Sequence, residues 1–126
     1  MVYSKIRIMI VEDEGLIAMD IKNNLIQMGY EVTAIVDNHI DAIAEAEKNK
    51  PNLTLMDIYI KGSVNGIETA KQLKETFNIP SLFITAYNDL ETSQKISKIS
   101  SLGILNKPFD DSEFQTKMLD LKICEN

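Results

Sequence analysis

At 126 residues, with a quarter of them charged and 44% hydrophobic, the chain is long enough for one domain with a substantial core and too short for two. Its formal charge of −6 argues against nucleic-acid binding by the domain itself, and no apolar run approaches the roughly 20 residues of a membrane span. The single Cys124 cannot form a disulfide within the chain, which points to a reducing compartment and a cytoplasmic protein, with no catalytic role for a thiol so near the end.

Lys5–Val11 is expected to form a first strand, β-branched and closed by Glu12, Asp13 and Glu14. From Gly15 to Met28 the apolar residues Ile17, Ile21, Leu25 and Met28 recur at helical spacing, and Gly29 stands where a left-handed C-terminal cap is wanted. Tyr30–Val36 reads as a second strand, closed by Asp37 and Asn38. A helix from His39 to Asn49 would bury Ile40, Ile43, Ala44 and Ala46, with Pro51 as its stop and His39 structural or exposed rather than a ligand.

Leu53-Thr54-Leu55-Met56-Asp57 is a strand apolar on both faces that ends in a carboxylate, as expected of a parallel sheet covered by helices on both sides. Ile67, Ala70, Leu73 and Phe77 define a third helix after Gly66, and Asn78-Ile79-Pro80 breaks it before the strand Ser81–Thr85. Asn88, with Glu91 three residues on, resembles a capping box for a fourth helix, weakened by its Ser and Thr content and carrying a thin stripe of Leu90, Ile96 and Ile99. Leu102–Asn106 reads as a fifth strand and Lys107-Pro108-Phe109 as a turn. Asp110 or Asp111 then caps a last helix with Phe114, Met118 and Leu121. Five strands alternating with five helices imply an α/β, doubly wound parallel sheet, and the six methionines are expected to be core fillers.

The strand ends carry the chemistry. The first gives Glu12 and Asp13, the third Asp57, the fourth Thr85 and the fifth Lys107, and parallel strands bring all these ends to one edge. Clustered carboxylates raise one another's pKa unless a cation is bound, and an all-oxygen set without His or Cys favours Mg²⁺. A lysine and a hydroxyl beside such a cluster suit a phosphoryl group.

On the residues Ile-Met-Ile-Val-Glu12-Asp13-Glu14, Leu-Met-Asp57, Ile-Thr85-Ala86 and Asn-Lys107-Pro108-Phe109, the chain resembles a two-component response-regulator receiver domain over essentially its whole length, 1–126. The resemblance implies a flavodoxin-like sheet of order 2-1-3-4-5 and phosphorylation of Asp57 by a histidine kinase or phosphotransfer protein. It also implies Mg²⁺ on Asp13, Asp57 and the backbone carbonyl of Tyr59, with Glu12 assisting. Thr85 and Lys107 would contact the phosphoryl group, and the Lys107–Pro108 bond would be cis. The output expected is a changed protein-binding surface around the fourth helix, fifth strand and fifth helix, with no catalysis beyond the domain's own phosphorylation and dephosphorylation.

Some positions depart from the family pattern. Ile104 replaces the usual aromatic residue, the loop after Asp57 reads Ile60-Lys61-Gly62 instead of Met-Pro, and that loop is one residue longer before Gly66. Tyr59 and Tyr87, two residues after Asp57 and Thr85, would border the water approach and prolong the phosphorylated state. The sequence stops soon after the fifth helix, so a DNA-binding or catalytic output domain is not expected within it; either a stand-alone receiver or the receiver segment of a larger regulator or hybrid kinase fits. A Mg²⁺-dependent phosphohydrolase of the haloacid-dehalogenase-like type is disfavoured because the first strand ends without an Asp-x-Asp pair. A binding-only pseudo-receiver is disfavoured by the presence of Asp13, Asp57, Thr85 and Lys107.

Overall fold

Period-two alternation builds this molecule around two cores. In the computed structural model, which describes residues 5–86, 90–99 and 101–121, five parallel strands lie in the order β2-β1-β3-β4-β5. They are β1 (Arg7–Val11), β2 (Glu31–Val36), β3 (Leu53–Asp57), β4 (Ser81–Thr85) and β5 (Gly103–Asn106). Helices α1 (Gly15–Gln27), α2 (His39–Asn49), α3 (Gly66–Phe77), α4 (Leu90–Ser97) and α5 (Asp111–Asp120) alternate with them. The sheet is the expected flavodoxin-like, doubly wound one. The fifth strand begins at Gly103, one residue later than its apolar pattern suggests.

Ile8, Ile10, Leu53, Leu55, Leu82 and Ile84 point to one face, where Ala18, Ile21 and Leu25 of α1 and Phe114 and Met118 of α5 cover them. Met9, Val11, Met56 and Phe83, at the intervening positions, meet α2, α3 and Ile96 of α4 on the other face. Every residue of β3 and β4 is therefore buried. Each large apolar side chain so covered contributes about 1.5–3 kcal/mol.

Helix α2 departs from its expected face. Ile40 and Ala44 are exposed, and Ala42 and Ala46 are buried with Ile43 partly covered. The Asn38 side chain accepts from the Asp41 N–H and fixes the helix phase, which turns Ile40 about 200° away from Ala42. His39 has the structural place expected, its Nδ1 hydrogen-bonded to the buried Thr69 hydroxyl of α3 at 2.9 Å.

Other termini match their signals. Gly29 has φ +91° after α1, and Asp110, not Asp111, caps α5 in a reciprocal capping box with Glu113. In α4, Ile96 is buried but Leu90 is exposed, and the partly buried Ile99 lies just beyond the helix, so its stripe is thinner than the sequence suggests. The Asn88 cap, Tyr87 and Cys124 lie outside the described residues. Among the described residues, no helix is long and apolar enough to cross a membrane.

Candidate functional site

The C-terminal ends of β1, β3, β4 and β5 meet at one edge. Beyond β1 the chain stays tied to the sheet, with Glu12 N–H donating to Val36 O at 2.9 Å, so the Glu12 side chain is held inward, 3% exposed. Asp13 is turned outward beside it. Asp57, the last residue of β3, is 5% exposed and pairs with Ile84, one residue before the buried Thr85. Lys107 extends the β4–β5 pairing through its N–H to Thr85 O at 2.8 Å, and the Lys107–Pro108 peptide is cis, as expected.

One carboxylate oxygen each from Glu12, Asp13 and Asp57 lies within 4.8 Å of the others. Lys107 reaches across the edge, its Nζ 2.9 Å from Glu12 Oε2, 3.3 Å from Asp57 Oδ2 and 3.6 Å from Glu14 Oε1. The other Asp57 oxygen, Oδ1, accepts the Tyr59 N–H at 3.2 Å. Burial is the largest influence on Glu12. It pushes the carboxyl from 4.5 up to about 7, with the Asp57 charge adding and the Lys107 contact opposing. Burial works against the Lys107 ammonium too, but Glu12 and Asp57 outweigh it and hold its pKa above the ordinary lysine value.

This donor set fits Mg²⁺. All three side chains offer hard oxygen, and three carboxylates against one ammonium leave negative charge that a divalent ion would neutralise. Glu12 Oε2 is buried with no aligned hydrogen-bond donor; Lys107 is near enough for an ion pair but not placed for a hydrogen bond to that oxygen. The described residues thus include a buried carboxylate oxygen with unused acceptor capacity at the cluster.

Residues 8–119 match the family described as response regulator receiver domain. The chain belongs to that family. As a receiver domain of two-component systems it is 30% identical over 107 residues to the transcriptional regulatory protein PdtaR of Mycobacterium tuberculosis, covering 85% of this chain and 52% of that protein. It is 32% identical to sporulation initiation phosphotransferase F of Bacillus subtilis over 92% of this chain and 95% of the relative. The receiver thus spans about half the length of the regulator and nearly all of the phosphotransferase. Among solved structures, the receiver domain of a modulated diguanylate cyclase from Desulfovibrio desulfuricans superposes with a TM-score of 0.84 at 32% identity, over 92% of both chains. A CheY-like receiver from Methanospirillum hungatei gives 0.82 at 26% identity, over 93% of both.

The fold brings Glu12, Asp13, Asp57 and Lys107 together, with Thr85 on the neighbouring strand end. Two site features have no sequence signal: Lys107 already rests on Glu12 and Asp57, and Glu14 joins them from the exposed side. Outside the site, the buried Asn24 of α1 donates to Asp111 and accepts from Gln115 of α5, both at 3.1 Å. Its place on the apolar face of α1 becomes visible only when α5 docks.

Proposed function

We propose that this receiver is a phosphorylation-controlled switch that accepts a phosphoryl group on Asp57 from a histidine kinase or phosphotransfer protein. The observation that supports this best is the Asp57 carboxylate itself, at a strand end, near Glu12 and Asp13 and 3.3 Å from the Lys107 ammonium. Asp13, Asp57 and the Tyr59 carbonyl would hold Mg²⁺, with Glu12 assisting. When bound, the ion supplies positive charge that lets a carboxylate approach an anionic phosphoryl group.

In transfer from a phosphohistidine whose other ring nitrogen carries a proton, an Asp57 oxygen forms the new O–P bond as the N–P bond breaks, and the imidazole leaves neutral with that bond's electron pair on the departing nitrogen. An acyl phosphate results. No general base is needed, because a carboxylate nucleophile has no proton to lose as it attacks. Lys107 exchanges its carboxylate contacts for a phosphoryl oxygen, and the Thr85 hydroxyl donates to another. Movement of Thr85 then shifts a two-state equilibrium toward a changed protein-binding surface at α4, β5 and α5. Ile104 already packs partly buried against the core on the α4 side, so that shift proceeds without an aromatic ring swinging inward.

Titration of Mg²⁺ followed by melting temperature tests the metal assignment. Wild type should gain stability with saturation, and Asp13→Asn should gain little. Equal gains in both proteins would remove Asp13 from the site.

A further inference from the structure

The loop that leaves Asp57 and carries Tyr59 is fastened to a strand that is not its neighbour. Lys61 N–H donates to Asp37 O at 2.9 Å, and Asn38 and Lys61 form an isolated parallel β-bridge. Lys61 Nζ lies 3.1 Å from Asp37 Oδ2, and Asn38 Nδ2 donates to Asp37 Oδ1 at 2.8 Å. Both carboxylate oxygens are engaged, and these contacts, Asn38 first and Lys61 next, hold the Asp37 carboxyl below its ordinary value.

Strand order gives this fastening its meaning. Because β1 lies between β2 and β3, this bridge ties together the two loops that leave the sheet on either side of the β1 end. Glu12 and Asp13 follow that end. The same β2 exit also holds Glu12, through Glu12 N–H to Val36 O. Consecutive carbonyls, Val36 and Asp37, thus restrain the first strand's acids and the loop of Tyr59 together.

We propose that Asp37 and Lys61 form a clasp that sets the Mg²⁺ affinity of the acidic site by fixing the loop that carries Tyr59. The inference rests on the Mg²⁺ reading of that site. Both are positioning residues, acting through Tyr59 and not on the ion. A through-space charge effect makes the opposite demand on one of them. Removing the negative Asp37 would weaken cation binding, but removing the positive Lys61 would tighten it. A clasp requires both removals to weaken it.

The test is a Mg²⁺ titration of the purified chain, read by tyrosine fluorescence, for wild type, Asp37→Asn, Lys61→Met, their double variant and Lys61→Arg, with metal-free melting temperatures alongside. The clasp predicts that Asp37→Asn and Lys61→Met each weaken binding about three- to tenfold, less than loss of a metal ligand's own buried partner because this pair is partly exposed. The double variant, with the wild-type net charge, should be similarly weak, and Lys61→Arg should stay within about twofold, with metal-free melting temperatures within about 2 °C of wild type. Unchanged or tighter binding in Lys61→Met, or weakening that merely follows a fall in metal-free stability, would overturn the clasp while wild type still binds. Absence of saturable binding in wild type itself would overturn the Mg²⁺ reading and the clasp with it.

Discussion

Lys107 Nζ lies 2.9 Å from Glu12 Oε2, although the two residues are 95 positions apart in sequence. In the absence of a bound cation this ammonium is the positive charge that keeps two buried carboxylates, Glu12 and Asp57, within reach of each other. Lys107→Met should therefore destabilise the metal-free fold by about 3 kcal/mol at pH 8, because two buried charges lose their partner. Urea unfolding at pH 8 and pH 6 measures it; the loss should be smaller at pH 6, where Glu12 can take up a proton.

The pH dependence follows from Glu12 directly. Its carboxyl is raised from 4.5 to about 7 in the folded state, so between those values the native protein holds a proton that the unfolded chain has released. Stability of the metal-free protein falls as pH rises through this window, by at most about 3 kcal/mol. Wild type should lose more stability than Glu12→Gln between pH 5 and pH 8, and Mg²⁺ should restore most of the difference. An identical pH dependence in the two proteins would show that Glu12 ionises without cost.

Gly66 is required by its neighbour. A Cβ there would stand 2.0 Å from the Asp57 carbonyl oxygen, and Gly66 N–H donates to Ile58 O at 2.7 Å. The obstacle is backbone, so Gly66→Ala must displace either the start of α3 or the end of β3 at Asp57. A stability loss of about 2 kcal/mol or more is expected in urea unfolding, with weakened Mg²⁺ binding. Full stability and binding in this variant would mean the loop yields freely.

The sequence made the sheet and the edge residues readable for a physical reason. Strands buried on both faces leave continuous apolar runs such as Leu53–Met56, and a parallel sheet then brings Asp13, Asp57, Thr85 and Lys107 to one edge whatever the loops do. The face of α2 was less readable. Its buried positions are the alanines Ala42 and Ala46, and hydropathy alone favours the larger Ile40, which the Asn38 cap turns outward. The contacts of Lys61 with Asp37, and of Asn24 with Asp111 and Gln115, join polar residues distant in sequence. No local pattern marks such pairs.

Helix α4 should be the most labile of the five. It has eight residues and one buried large apolar side chain, Ile96, and Leu90 at its start faces solvent. Hydrogen exchange across residues 90–97 should be faster than in α1 and α3 and should change on phosphorylation. Equal protection of these helices in both states would remove α4 from the switch.

Everything rests on where the phosphoryl group goes. The purified chain is treated with a small phosphodonor such as phosphoramidate, with and without Mg²⁺, and mass spectrometry reads the adduct before and after hydroxylamine. Wild type should gain one phosphoryl group, dependent on Mg²⁺ and removed by hydroxylamine as an acyl phosphate is, and Asp57→Asn should gain none. A hydroxylamine-resistant adduct on a serine or threonine, or the same adduct in Asp57→Asn, would contradict the assignment of Asp57 as the phosphoacceptor.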